Sequence, residues 1–228
     1  MDGAVISTMP IRDLIQVIDP PPPIAVSEAA SALRYRDFLT VVIILDKSEV
    51  FPDNWIYIHE PEVRVGRIQN FRNWSPDMVA DQATTSLGLE YFCHEGDTLW
   101  SSTDDALIEL AISELERIGL LGKANVVTGA VVRMPKAYPV YDATYKANVS
   151  LVREWLREHA TNLQLVGRNG MHMYNNQDHS MLAAYLAARN LLGEEWDPWL
   201  VNADAEYHEE TGATDSVGRF VPQRLIRP

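Results

Sequence analysis

The sequence predicts an α/β (α+β) fold, with a mixed antiparallel sheet and its helices in the middle of the chain and pieces of a parallel sheet towards both ends. Three observations predict it. The middle has several short runs rich in Val, Ile, Tyr, Phe and Trp between turn residues. Residues 102–119 and 142–159 have apolar side chains at helical spacing. Near each end, a short apolar strand comes directly before a helix, as strands do in parallel sheets.

At the start of the chain, Gly3–Thr8 predicts a buried strand, and the spacing of apolar residues between Pro10 and Asp19 predicts a helix. The prolines at 20–23 enforce an extended segment. Ser27 is expected to cap a short helix that ends near Leu33.

Four strands are predicted next, at 37–45, 54–60, 64–71 and 84–93. Because side chains alternate along a strand, the third of them should place Arg67, Gln69 and Phe71 on one face, with Ile68 and Asn70 on the other. A face of Arg, Gln and aromatic residues suits a polar substrate pocket. It also suits an ordinary solvated sheet face, and the residues alone leave both interpretations open.

The helix at 102–119 is expected to start at a capping Ser102 or Thr103, with acidic residues in its first turn, and to end at Gly119. A strand at 124–134, a helix at 142–159, a short buried strand at 163–167 and a helix at 179–193 complete the predicted order. Domain boundaries are expected near residues 20, 140 and 195, with 196–228 as a peripheral tail.

The composition excludes several functions. The net charge of -13 and the sequence pI near 4.8 argue against nucleic acid as a partner, because an acidic surface repels phosphates. A single cysteine, Cys93, excludes an internal disulfide and a Cys-rich metal site, and it is expected to be a buried strand residue. The histidines show no metal-ligand spacing, so no metal is expected. With no apolar run of about 20 residues and no basic start, we expect a cytoplasmic protein without a membrane span.

The segment Leu165–Met181, LVGRNGMHMYNNQDHSM, is unusually long for a connection between a strand and a helix. Its glycines allow close approach of a ligand, Arg168 offers a planar fork of donors, and the start of a helix favours an anion. These features fit a cradle for an anion or a dinucleotide. They equally fit a turn in which Asp178 merely caps the helix and the asparagines form turns.

A second cluster, Arg133–Tyr145, contains three tyrosines, a lysine and two prolines between a strand and a helix. Proline-fixed loops hold tyrosine rings at a cleft, where each ring stacks and its hydroxyl group donates a hydrogen bond. The alternative is a rigid corner packed by aromatic rings.

The segment at 165–181 resembles the C-terminal flavin-binding segment of the FAD-dependent amine oxidoreductases, in the branch of UDP-galactopyranose mutase and protoporphyrinogen oxidase. The matching positions are a Gly-Arg pair, two alternate ring-bearing residues, an amide and a short run before the helix: Gly167, Arg168, His172, Tyr174, Asn176, Gln177 and Asp178. Residues 5–15, 51–78 and 135–149 resemble the strand and helix that re-enter the FAD domain, substrate-domain strands and a Tyr-Pro loop.

The resemblance implies FAD as the cofactor and a small-molecule substrate, such as a nucleotide-sugar. It implies one set of residues near the flavin: Gly167, Arg168, Gly170, Asn176, Gln177 and Asp178. It implies another set near the substrate: Tyr174, Tyr138, Tyr141, Arg67 and His172. His172 replaces an aromatic residue and Asn176 replaces an acid common in the mutases, which favours a related oxidoreductase or sugar-modifying enzyme; no catalytic residue is assigned.

The resemblance also implies an organisation: 1–20 as the return segment of an FAD-binding domain, 21–140 as the substrate domain, and 141–195 as the final strand, loop and helix of the FAD domain. No strand–GxGxxG–helix unit for the ADP half of FAD is found in the sequence. We therefore expect the C-terminal fragment of a longer flavoprotein, inactive and without retained FAD on its own. The alternatives are a mutase-like isomerase, a non-catalytic module that binds a nucleotide-sugar or a protein, and an assembly role, with homo-oligomers forming through exposed sheet edges.

Overall fold

The computed structural model describes residues 3–202 and divides the chain into two compact units. The first unit contains the residues up to Tyr35 and those from Tyr138 onwards, and the second is Arg36–Ala137. The middle unit thus begins after Tyr35 and not at the boundary expected near residue 20, because the helix that follows the proline run packs in the core of the first unit. Residues 203–228 of the predicted tail lie outside the described residues.

Along residues 3–202 the chain order mixes strands with helices and includes 3₁₀ turns at Pro76–Met78 and Pro198–Leu200. The elements are β1 (Val5–Ser7), α1 (Ile11–Val17), α2 (Ile24–Ser31), β2 (Tyr35–Leu45), β3 (Trp55–Tyr57), β4 (Arg67–Asn70), α3 (Phe71–Trp74), β5 (Thr85–Cys93), α4 (Asp104–Arg117), β6 (Val126–Pro139), α5 (Tyr145–His159), β7 (Leu163–Leu165), α6 (Gly167–Gly170) and α7 (Gln177–Leu191).

The second unit is built on a five-stranded sheet in the order β3-β4-β5-β2-β6. Alternate residues of β2 are buried, and its register with β5 sets Leu39 opposite Tyr91 and Val41 opposite Leu89. These pairs form the core together with the apolar stripe of α4, whose Leu107 is buried. Amphipathic patterning in both strand and helix therefore explains this unit.

Helix α4 begins and ends as predicted. The Thr103 hydroxyl accepts a hydrogen bond from the Ala106 N–H (3.3 Å), and two aspartates occupy the first turn. Gly119 follows the last turn with φ +76°. Cys93 is buried at the end of β5, as predicted, and burial raises its pKa to about 11.

The first unit contains a parallel pair, β1 and β7, with Val5 opposite Leu163 and Ser7 opposite Leu165. Helices surround a separate apolar core, to which Ile11, Val152 and Met171 contribute fully buried side chains. The parallel pairing of a strand near the start with one near residue 165 confirms that the ends of the chain hold pieces of a parallel sheet.

Four local predictions are wrong. Helix α2 begins at Ile24 directly after the proline run, so Ser27 lies inside it and does not cap it. Phe71 begins α3, so it is not on the face of β4 that Arg67 and Gln69 share. Strand β6 runs on to Pro139, so Tyr138 lies in a strand and not in a loop.

The fourth concerns α7, which starts one residue before Asp178, with Asn176 as the N-cap. The α/β class and the central antiparallel sheet are confirmed. Across residues 3–202, no helix combines the length and apolarity that crossing a bilayer requires.

Candidate functional site

The connection between β7 and α7 is folded by a short helix that the sequence did not predict. Helix α6 starts at Gly167, whose φ of +79° lies in the left-handed region that favours glycine. A Cβ atom added to Gly170 would lie 2.9 Å from the Ser7 carbonyl oxygen at the end of β1. The close approach that Gly170 permits is therefore to the backbone of the neighbouring strand.

Arg168 lies in this short helix beside two tyrosines from different parts of the chain. The rings of Tyr138 and Tyr174 are stacked, with centroids 5.4 Å apart and planes 15° from parallel. The central carbon of the Arg168 guanidinium group lies 4.9 Å from the Tyr138 ring centre and 4.8 Å from that of Tyr174. We name these three residues the tyrosine–arginine cluster; it lies wholly within the first unit.

Hydrogen bonds to backbone atoms hold the cluster in place. Arg168 Nε donates to the Asn175 carbonyl oxygen (2.9 Å), and the Tyr174 N–H donates to the Tyr141 hydroxyl oxygen (2.6 Å). Tyr141 itself stacks on Tyr145 at 4.2 Å, and burial raises the pKa of Tyr141. The cluster is thus fixed by at least two contacts that do not involve a ligand.

The segment after α7 reaches back to the same turn. Asn202 Nδ2 donates to the Tyr174 carbonyl oxygen (2.9 Å) and to Asn175 Oδ1 (3.1 Å). The segment is anchored nearby, since Arg153 Nη2 contacts both carboxylate oxygens of Asp197 at 3.0 and 2.9 Å. Residues close to the tail therefore support the turn that holds Tyr174.

Helix α7 begins at the edge of the cluster. Arg168 Nη2 lies 3.4 Å from Asn176 Oδ1, and the Asn176 N–H donates to His179 Nδ1 (3.3 Å). Gln177 and Asp178, in the first turn, are exposed. The first N–H groups of a helix have no partner within it, so this turn presents donors close to the Arg168 fork.

His172 is buried with 1% of its surface exposed, in contrast to the half-exposed Tyr141. Its ring meets the Tyr35 ring edge-on, with centroids 4.9 Å apart. Burial lowers the pKa of His172, and the Val140 backbone and the Asp142 carboxylate oppose this shift. The ring therefore lies beneath the turn and not on the surface of the unit.

This donor set fits part of a flavin dinucleotide. A guanidinium fork, tyrosine hydroxyl groups and helix N–H groups are suited to a pyrophosphate or to the carbonyl oxygens of a flavin ring. The Asp178 carboxylate adds a negative charge to the same turn, so the turn has no excess of positive charge. An anion there would be held by directed hydrogen bonds. In chemical terms, the groups at Arg168 and the start of α7 therefore fit those that a flavin dinucleotide needs.

Arg67 lies in the second unit, in a polar and aromatic cluster of its own. It forms an ion pair with Glu90, which is only 5% exposed, and its guanidinium carbon lies 5.1 Å from the Trp55 ring centre. Gln69 Nε2 donates to Glu90 Oε1 (3.1 Å), and Trp74 Nε1 donates to Gln69 Oε1 (2.9 Å). Arg67 and Gln69 share a face, as alternation predicts, and this face is half-buried.

The sequence predictions named Arg168, Tyr138, Tyr141 and Tyr174, and the structure brings these four together. The sequence predictions did not include Asn202, because no pattern in the tail indicates that it contacts the turn at Tyr174 and Asn175. They also missed Glu90, the partner of Arg67. A lone acid in the otherwise apolar run SLGLEYFC was a signal for a buried charge, which needs a partner.

Comparisons with known proteins support the fold. No protein-family model matches the sequence, nor does any curated protein. The structure of a reduced UDP-galactopyranose mutase matches with a TM-score of 0.73 and 23% identity, over 88% of this chain and 44% of the mutase. A structure assigned as a protoporphyrinogen oxidase, from Exiguobacterium sp. 255-15, matches with a TM-score of 0.61 and 16% identity, over 84% of this chain and 41% of that one.

At this level of identity, the comparisons establish the fold and not an activity. The chain has the fold of part of these two proteins, which confirms the architecture that the resemblance implied. It spans less than half the length of either.

Proposed function

We propose that the chain is part of an FAD-dependent oxidoreductase or mutase that acts on a polar, anionic substrate such as a nucleotide-sugar. The observation that carries the proposal is the tyrosine–arginine cluster, in which Arg168 lies against two stacked tyrosines beside the first turn of α7. An arginine fork next to helix N–H groups binds phosphate or carbonyl oxygens, and tyrosines bind rings. The fold of the two solved proteins adds support.

In this proposal, Arg168 and the backbone at Gln177 and Asp178 hold the flavin dinucleotide, with the left-handed Gly167 shaping the turn and Asn176 capping the helix. Tyr138, Tyr141 and Tyr174 hold the substrate by stacking and by hydroxyl hydrogen bonds. FAD, when bound, supplies the redox chemistry. This chain's own residues bind and orient the reactants.

Three of the residues implied by the resemblance differ in the role that the proposal gives them. Arg67 stays a prediction for substrate binding in the second unit, where it is paired with the buried Glu90 and lies over the Trp55 ring. His172 is buried and so has no direct contact with substrate in the proposal. Gly170 has a packing role towards Ser7.

Titration with two probes tests the proposal. The chain is not expected to retain FAD through purification, so FAD is added in excess and its reversible binding is measured by quenching of flavin fluorescence. Binding of UDP is measured by the tryptophan fluorescence of the protein. Arg168→Ala should weaken FAD binding by about tenfold or more, because it removes a charge-assisted hydrogen bond of about 1.5–3 kcal/mol. Arg168→Lys keeps the positive charge but not the planar fork of donors, so its FAD affinity should lie between those of the parent and of Arg168→Ala.

Arg157→Ala, which removes an exposed arginine of α5 in the same unit, is the matched control and should leave both affinities unchanged. A folded protein that binds neither probe would refute the proposal. Binding of UDP without FAD would instead identify a nucleotide-binding module.

A further inference from the structure

His172 occupies the point at which the chain turns between Arg168 and Tyr174. Its φ of +48° lies in the left-handed region, which histidine adopts more readily than most residues but still at a cost. The turn is closed by backbone hydrogen bonds on either side: the Met173 N–H donates to the Arg168 carbonyl oxygen (3.0 Å), and the Asn175 N–H donates to that of Met173 (2.7 Å). The conformation at His172 therefore contributes to the position of Tyr174 relative to Arg168, together with the hydrogen bonds that Tyr174 makes with Tyr141 and Asn202.

The imidazole ring is enclosed without a counter-ion of its own. Within the described residues, neither Nδ1 nor Nε2 makes a hydrogen bond of good geometry, and neither does the buried Tyr35 hydroxyl beside the ring. The Val140 backbone is the polar group close enough to favour a proton on the ring. The charged groups nearest to it are Arg12, from α1, and Asp142, from the loop before α5. Arg12 also lies over the Tyr35 ring at 5.5 Å, while Asp142 is already paired with Arg34 (3.1 Å).

A proton on this ring would create a buried cation close to a second cation, Arg12, with only the Val140 backbone and the already paired Asp142 to offset the charge. Such a charge is costly, and the chain avoids the cost by moving the ring into water. The ring packs against Tyr35 beneath this turn, so its movement into water removes the packing that supports the left-handed conformation.

We propose that His172 is a positioning residue for the tyrosine–arginine cluster, which its neutral, buried ring holds closed and its protonation opens. The proposal rests on the proposed function only in treating this cluster as a ligand site. It makes the site responsive to pH, through a residue that touches neither ligand.

The direction of the response follows from linkage. Burial lowers the pKa of His172 in the closed turn below the ordinary 6.5, so the open turn binds the proton more tightly. The stabilisation of the closed turn is complete above pH 6.5 and is lost as the pH falls below that value. At pH 5.5, an open state with an ordinary histidine gains at most about tenfold in population relative to pH 7.5, the limit being reached if the closed ring stays neutral over this range.

Hydrogen exchange of residues 167–176 tests this without any ligand. Protection factors, corrected for the intrinsic effect of pH, should fall between pH 7.5 and 5.5 in the parent protein, by up to about tenfold. His172→Asn tolerates the left-handed conformation and does not titrate, and His172→Phe keeps a ring against Tyr35. In both variants, protection should be independent of pH over this range.

His59→Asn removes an exposed histidine of the second unit and should retain the fall in protection seen in the parent. Equal protection of the parent protein at the two pH values would overturn the proposal, as would a parent-like fall in both His172 variants. If one variant loses the turn, its protection is low at both pH values and the other variant decides. The FAD and UDP titrations at pH 7.5 are independent of this result, so the two proposals fail separately.

Discussion

Glu114 illustrates, at the scale of a single residue, how a buried charge organises the second unit. Although it lies on α4, only 5% of it is exposed. Its carboxylate accepts hydrogen bonds from the backbone N–H groups of Arg64 (2.7 Å) and Val65 (3.1 Å) and from the Tyr91 hydroxyl (2.9 Å). Burial, and then the negative charge of Glu114, raises the pKa of Tyr91. One side chain thus fastens a loop and a strand to the helix.

We expect Glu114→Ala to destabilise the protein by about 3 kcal/mol or more, since it leaves buried donors without an acceptor. Glu114→Gln keeps one acceptor oxygen but turns an amide donor towards other donors, so it should cost about 1–2 kcal/mol. Denaturant unfolding, followed by tryptophan fluorescence, measures both.

The matched control is a double-mutant cycle with Tyr91→Phe, which removes one of the three donors. In the Glu114→Ala background this change should cost less than in the parent, because the hydroxyl has already lost its acceptor. Additive costs would show that the contact between Tyr91 and Glu114 contributes nothing.

At the scale of elements, the sequence predicted those in which local pattern and tertiary packing agree. Strand β2 alternates and α4 has a cap, an apolar stripe and a terminal glycine, so each can be read from its own residues. Helix α6 cannot be predicted from its own residues, because the four residues GRNG have no periodicity. Its position depends on the close contact between Gly170 and the end of β1. Likewise, no local signal at Pro135 to Pro139 shows that β6 continues alongside its neighbour.

The contact between α6 and β1 yields a prediction at this scale. Gly170→Ala would place a methyl group 2.9 Å from the Ser7 carbonyl oxygen and 3.4 Å from the Thr8 Cα. Backbone atoms cannot move aside as side chains do, so the two elements must separate, at about 1–3 kcal/mol. This exceeds the roughly 1 kcal/mol by which alanine favours a helix. The thermal midpoint should fall, and hydrogen exchange should rise in β1 and α6.

Gly3→Ala is the control, because a Cβ atom there meets nothing within 4 Å and the residue is exposed. It should leave the midpoint unchanged. A midpoint for Gly170→Ala that equals that of the control would mean that α6 and β1 separate without cost.

At the scale of the whole molecule, the candidate site shows which contacts can be predicted from one sequence and which cannot. Arg168 and Tyr174 are near in sequence, and residue chemistry alone marked them as a cradle or a capped turn. Their contact with Tyr138 depends on how the whole chain folds between residues 138 and 168, and no local sequence pattern encodes that path. The resemblance supplied that path, because it carries the fold of a larger protein. The hydrogen bond from Asn202 to the Tyr174 turn and the ion pair of Glu90 with Arg67 were not predicted, since each joins residues that are distant in the sequence.

The net charge of -13 is also a property of the whole molecule, and it predicts a dependence of stability on salt. Self-repulsion of a strongly acidic chain opposes the compact state, and salt screens it as the Debye length falls from about 30 Å at 0.01 M to about 8 Å at 0.15 M. Salt also weakens surface ion pairs, but each of these contributes only about 0–1 kcal/mol. The thermal midpoint should therefore rise by about 2–4 °C over this range, equivalent to about 1 kcal/mol.

Two exposed positions provide matched variants for this prediction. Glu195→Lys makes the net charge less negative and should raise the midpoint at low salt, while Lys123→Glu makes it more negative and should lower the midpoint. The difference between the two variants should shrink as salt is added, because screening removes the repulsion that separates them. A difference that persists at 0.15 M would point to local contacts at these positions. A parent midpoint that stays level or falls with salt would show that ion pairs outweigh the repulsion.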